Sequence, residues 1–451
     1  MHLFTSRPSG PDRRHCRPAF VLALLAALLL VALPATAQLV NGRFITSAYS
    51  FEKFDTVGVS ERYLRVMEAA LIDVTEGDFG LYMYLQAAGT GYGSTFGSTD
   101  FRTPHLYAQW KNLGEAVDLS LGRIPVYAGI RGATVDGARA TLRFGTDRVN
   151  RLTVYGGWNT PLDLRLSGWG DLDKNFTLGA QYLVASIENL RFGLSYFNRV
   201  RDNDPYYTQR PDSFFNPVTT LIEPEATKEQ LFGLDATYQF DRGRLYARYD
   251  YDINYGSTSR WQAGVSGAIT DEIWFSGDFL YRKPFARYQS WFSLLPVQAN
   301  GEFEAGLDFL LMPRLRAFVR GAYVEYSGTV PELDDNAFRY TAGVAHDYVQ
   351  LTYRGTAGYA GELNSLSLDA VYPLFDRMFM PSAGVSWNSY KLNELAPKED
   401  ALAVVFGGTV RPYRWLSLDL QGQWLNNAVY DSDFRVFARL NLWFSERLSI
   451  L

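Results

Sequence analysis

Between residues 415 and 424 the chain reads Trp-Leu-Ser-Leu-Asp-Leu-Gln-Gly-Gln-Trp. Successive side chains of an extended strand point to opposite faces. Leu416, Leu418, Leu420, Gly422 and Trp424 therefore share one face, and Ser417, Asp419, Gln421 and Gln423 share the other. This alternation recurs along almost the whole chain, in segments of about ten residues separated by turn residues. Such segments suit strands that show lipid on one side and water on the other. The backbone of such strands is fully paired only when the sheet closes on itself.

The clearest hairpins lie in the second half. Residues 231–240 place Phe232, Leu234, Ala236, Tyr238 and Phe240 on the apolar face and turn at Asp241-Arg242-Gly243. The return strand keeps Ala247, Tyr249, Tyr251 and Ile253 in that phase and puts Arg248, Asp250, Asp252 and Asn254 on the polar face. Segments 261–269 and 273–281 pair about Thr270-Asp271-Glu272, with Asp278 on the polar face. Segment 303–309 is flanked and crossed by polar-phase Glu302, Glu304 and Asp308, and turns at Met312-Pro313 into 315–326, which carries Arg316 and Arg320. Further turns are expected at His346-Asp347, Asp376-Arg377 and Arg411-Pro412-Tyr413, and the last strand, 434–444, points Arg435, Arg439 and Asn441 inward. Weaker segments with the same period cover 43–54, 63–74, 81–87, 106–110, 117–121, 138–144, 152–158, 176–183 and 190–200.

The predicted fold is all-β: one transmembrane, antiparallel, up-and-down barrel of about 22 strands over residues 38–451. Merging weak neighbours gives 18 or 20 strands, and the even number is the firmer expectation. Residues 1–37 read as a cleaved secretory signal. Arg13, Arg14 and Arg17 precede the apolar run 19–33, and Ala35-Thr36-Ala37 offers a cleavage site. The expected destination is the bacterial outer membrane. The longest loop, 201–228, is the expected lid or constriction, with 89–103 and 284–301 as further loops over the mouth.

Composition narrows the chemistry. The single cysteine, Cys16, falls within the signal, which excludes a disulfide scaffold and any thiolate site beyond it. Without the leader's four Arg and one Asp, 39 basic and 47 acidic residues remain, a formal charge of −8 that argues against nucleic acid. No apolar run reaches 18 residues, so helical membrane spans are excluded. A hydrolase needs a base beside its nucleophile. After residue 37 only His105 and His346 are available, and Ser98 and Asp100 near His105 form no nucleophile motif. No enzyme, cofactor or metal is expected, and residues 332–336 read as a solvated loop tip.

The segment Leu121-Gly122-Arg123-Ile124-Pro125, followed by Asp136-Gly137, and the strand end Leu442-Trp443-Phe444 give the chain a resemblance to Gram-negative outer-membrane porins. In such porin-like barrels a Leu-Gly-Arg or Leu-Gly-Gln sequence often closes a strand before a loop that bends inward. The resemblance implies passive diffusion of small polar solutes or ions through a water-filled lumen. Expected partners are outer-membrane lipid, the solutes, periplasmic chaperones and the barrel-assembly machinery, and homo-oligomers are compatible with it. The inward phase supplies Arg248, Asp250, Asp278, Glu302, Glu304, Asp308, Arg316, Arg320, Arg435 and Arg439 as candidate pore-lining residues. For any one of them, pairing with a neighbour to stabilise the wall is the plainer alternative. Inward Tyr82, Tyr84, Tyr107, Trp274, Phe318 and Trp443 suit wall packing or a stacking track. A gated transporter of hydrophobic or aromatic solutes, or a structural barrel, are the competing readings.

Overall fold

The computed structural model describes residues 38–448 except 57–58, 93–94, 98, 167–168, 204, 212, 284–298, 328–335, 360 and 393–395. Twenty-two strands run antiparallel to their neighbours, and the first, Gln38–Thr56, pairs with the last, Asp433–Leu448, so the sheet closes into a barrel. Thr95–Phe96 adds a two-residue strand at the rim, and Tyr206–Pro211 with Pro217–Ile222 form a separate hairpin. Ten residues at about 3.3 Å rise, tilted by about 40°, span roughly 25 Å, the height of an outer-membrane apolar band. The barrel strands, from 10 to 19 residues long, meet or exceed that height.

Register fixes which side chains meet. Leu416, Leu418 and Leu420 lie opposite Leu442, Leu440 and Ala438, and Ser417, Asp419 and Gln423 lie opposite Asn441, Arg439 and Arg435. The same two phases run from strand to strand: Phe303 faces Phe279 and Tyr323, while Glu304 faces Asp278 and Ala322. A slip of one residue would turn the inward charges of a strand to lipid, so the alternation itself specifies the pairing.

At one end the strands join through tight turns such as Gly77-Asp78, Glu188-Asn189, Asp241-Arg242 and Pro313-Arg314, with positive φ at Gly77, Asn189 and Arg314. The other end carries the longer loops, the external end in outer-membrane barrels.

Several boundaries differ from the sequence reading. Segment 81–87 extends to Phe79–Tyr92 and 106–110 to Asp100–Leu113, so most of the expected loop 89–103 is strand. Polar and small residues mask the alternation there. The expected turn at Arg411-Pro412-Tyr413 lies within Glu399–Tyr413, and the chain reverses at Arg414-Trp415. Proline has no N–H to give to the ladder, and the register shifts between Val410 and Tyr413. The last strand continues past Phe444 to Leu448. Residues 284–298 of the expected loop 284–301, and 332–335 of the expected tip, lie outside the described residues.

Candidate functional site: the inner wall and an inward-folded loop

The connection Tyr127 to Gly132, between the strands Val117–Val126 and Ala133–Phe144, folds into the barrel. The cause is local. Tyr155, Gly179, Phe197 and Leu231 occupy one row of cross-strand pairs on the inner face, an apolar island on that wall. Ile124, Val126, Val135 and Phe197 have no exposed surface, and Ala128, Ile130 and Ala133 pack against them. Removing this island from lumenal water draws the loop onto the wall.

Polar contacts pin it. Arg248 Nη2 donates to the Ile130 carbonyl at 2.7 Å, from a strand five places further round the wall. Arg131 Nη1 lies 3.3 Å from Glu229 Oε1, and Glu229 also accepts from Arg199 Nε at 2.7 Å. Gly129 makes the close approach with φ +82°, and a β-carbon there would stand 2.5 Å from Ser195 Cβ.

All ten candidate pore residues stand on the polar phase, and the structure divides them by partner. Arg248 and Asp250 form an ion pair at 3.0 Å under the loop, so they support it. Arg320 lies 3.6 Å from Asp308, Arg439 Nε donates to Asp419 at 2.9 Å, and Arg435 Nε donates to the buried Asp433 at 2.5 Å. Glu302 pairs with Arg339. Asp278 accepts from Gln262 Nε2 at 3.3 Å and sits directly across from Glu304, a like-charge neighbour. Arg316 is exposed, opposite Leu310 and Ala345. The alternating signs make a charged wall, not a patch of one sign.

Where the sheet closes, Arg43 Nη2 donates to Asn441 Oδ1 at 2.7 Å, and Asn441 Nδ2 donates to Ser417 Oγ at 3.1 Å. Asn441 and Ser417 are buried, so this short network fastens three strands at the seam. The Arg43 guanidinium lies over Trp443 at 5.2 Å. Tyr82 stacks on Tyr107 at 5.0 Å, and His105 stands between the Tyr84 and Tyr107 rings. Asp100, near His105 in sequence, pairs with Arg165 at 2.8 Å, and Ser98 lies outside the described residues. His346 ends a strand at the tight-turn end. Among the described residues no group of three or more His, Cys, Asp or Glu could hold a metal ion.

The Leu-Gly-Arg segment has a second role. Arg123 forms a bidentate pair with Asp136, at 2.6 and 2.7 Å, and donates to the carbonyls of Thr103, Leu164 and Arg165. Trp169 Nε1 donates to Asp136 Oδ2 at 2.7 Å. With Arg123 3% and Asp136 8% exposed, the pair clamps the loop after Asn159 to the rim. Gly122 makes room beside it: at φ +125° its β-carbon would stand 2.4 Å from the Leu106 carbonyl oxygen.

The inward loop adds to the expectation. The longest loop, 201–228, expected as the lid or constriction, carries a largely exposed hairpin, and among the described residues it is the short Tyr127 to Gly132 loop that packs onto the inner wall. The porin resemblance at 121–125 pointed to an inward loop. The anchors Glu229, Ser195 and Arg248 come from strands distant in sequence.

No family model matches the chain, and no curated protein matches it. Among solved structures, the ferric enterobactin receptor PfeA of Pseudomonas aeruginosa is similar with a TM-score of 0.56 at 11% identity, over 89% of this chain and 80% of that one. The translocation pore of the P pilus usher PapC matches with a TM-score of 0.49 at 8% identity, over 90% of this chain and 99% of that one. OccK7 of P. aeruginosa matches at 0.41 and 10% identity, over 91% and 99%. At such identities the likeness to PfeA is one of fold. The protein is a 22-stranded barrel of the bacterial outer-membrane kind.

Proposed function

We propose that the barrel is an aqueous channel for passive diffusion of small polar solutes or ions. The observation that carries this reading is the inner face, where Asp278, Glu302, Glu304, Asp308, Arg316, Arg320, Arg339, Arg435 and Arg439 share the polar phase while the opposite phase is apolar. Opposed charges along a lumen attract and orient polar solutes and set ion preference. Closing 22 strands spaced about 4.8 Å apart at a tilt of about 40° gives a backbone diameter of roughly 40 Å. A six-residue loop running out and back reaches only about 10 Å, so Tyr127 to Gly132 narrows the passage from one side. Arg248 and Asp250 act through this loop, whereas Arg316, Arg320, Glu304 and Arg439 meet the solute. Cleavage after Ala37, export through that signal, and assembly by periplasmic chaperones and the barrel machinery belong to the same reading.

The test is single-channel conductance of the refolded chain in a planar bilayer. Stable current steps are expected, with a reversal potential that moves toward cation selectivity when Arg316, Arg320 and Arg439 are neutralised together. A folded barrel that inserts and passes no current would refute the channel and favour a gated transporter or a structural barrel.

A further inference from the structure

Two neighbouring rows of the inner wall cross the seam near the tight-turn end of the barrel. Followed by register from the last turn to the strand Asp100–Leu113, one row reads Trp415, Trp443, Arg43, Leu71, Tyr84 and His105. The row beside it carries Asn41, Asp73, Tyr82 and Tyr107. Five strand-to-strand steps of about 4.8 Å take the first row along roughly 24 Å of wall. An open pocket of about 550 Å³ lies at the seam, lined by Trp415, Trp443, Arg43, Asp73 and Arg414 among others. Its polar groups are largely unspent. Asp73 has no hydrogen bond or ion pair with any described residue, and neither has Arg414 at the turn. Arg43, a diagonal step from Asp73 across the strand pair, turns its guanidinium away to Asn441 and Trp443 and spends one of its five N–H donors there. Trp415 stacks on Tyr413 at 5.2 Å and is still 51% exposed.

We infer that this pocket is a binding subsite for a short neutral oligosaccharide, an inference that rests on the lumen being a water-filled passage. A sugar hydroxyl both donates and accepts, so one solute satisfies the Asp73 carboxylate as acceptor and the Arg43 and Arg414 guanidinium groups as donors. A simple anion would meet Asp73, and a simple cation would meet two arginines. The C–H faces of a sugar ring are apolar and lie flat against aromatic faces, and rings stand on both sides of Asp73: Trp415 and Trp443 on one, Tyr82, Tyr84 and Tyr107 on the other. The length of the row decides between single and linked rings. An aromatic amino acid, whose two charges would also suit Asp73 and the arginines, fills only one step of it, whereas a chain of sugar rings follows it.

The experiment is titration calorimetry of the refolded barrel in detergent with maltotetraose, cellotetraose and xylotetraose in turn, alongside single-channel recording with the same sugars. At least one tetrasaccharide is expected to bind and to interrupt the current in short closures whose frequency rises with its concentration. Asp73→Asn keeps the shape of the pocket, and Trp415→Ala removes a ring at an exposed turn. Each is expected to weaken that binding roughly tenfold while the barrel keeps its folded gel mobility. Phe318→Ala, which removes an inward ring from the far wall, is the comparison and should leave the affinity unchanged. Binding of none of the three sugars, binding of free phenylalanine in their place, unchanged affinity in both pocket variants, or an equal loss in Phe318→Ala would overturn the subsite. Sugar binding by a barrel that carries no current would uphold the subsite and refute the channel, and steady current without sugar binding would do the reverse.

Discussion

Gly129→Val should release the inward loop. A β-branched residue at φ +82° costs about 1–2 kcal/mol of backbone strain. Its β-carbon, 2.5 Å from Ser195 Cβ, adds about 1–3 kcal/mol of overlap that a stiff sheet cannot relax cheaply. Against this roughly 2–5 kcal/mol stand the loop's anchors. The Arg248 hydrogen bond to the Ile130 carbonyl holds with about 1.5–3 kcal/mol, and the Arg131–Glu229 pair, whose arginine is partly exposed, with about 0–1 kcal/mol. Burial of Ile130 on the apolar island adds about 1 kcal/mol. The two sides are comparable, so the variant should populate a detached loop instead of a wall-bound one. In a planar bilayer this reads as larger, noisier conductance steps, and in the folded barrel as new protease cleavage near residue 130. Ser195→Gly in the same chain removes the overlap and leaves the φ strain, so it should restore much of the wild-type behaviour. Wild-type conductance and protease resistance in Gly129→Val alone would refute the account of how the loop is held.

Asp136→Asn keeps the shape of the rim clamp but leaves Arg123 as a buried cation without its counter-charge, at a cost of about 3–5 kcal/mol; early proteolysis within residues 160–175 is the expected sign. Asn441→Ala strands the buried Ser417 hydroxyl and one Arg43 donor at the seam, and urea unfolding in detergent should show a loss of about 1–3 kcal/mol. Leu307→Arg turns a charge to lipid and should cost about 2–4 kcal/mol in refolding yield or unfolding midpoint. Glu304→Arg, on the other phase beside Asp278, should fold normally and shift ion selectivity toward anions.

The period-two alternation was enough to place the polar phase, because on a membrane wall each strand must separate lipid from water. Arg316, Arg320, Glu302, Asp308 and Arg439 could therefore be assigned to the inner face before any pairing was known. Strand number followed from counting turns. Strand ends did not, because small and polar residues such as Gly89 and Asp100 can sit in a strand without showing the alternation.

Partnership was decided by tertiary structure alone. Arg248 and Arg320 look alike in sequence, each an inward arginine on a regular strand. Closure of the sheet puts Arg248 under a loop from residue 130 and leaves Arg320 facing the lumen with Asp308. Glu68 likewise reads as one polar residue in a noisy strand until register sets it beside Thr46 on the lipid side. A local pattern determines which face a side chain takes, since that depends only on the pleat. What it meets there depends on the register of the neighbouring strand, as for Glu68 and Arg320, or on a segment far away in sequence, as for Arg248, and the folded barrel decides both.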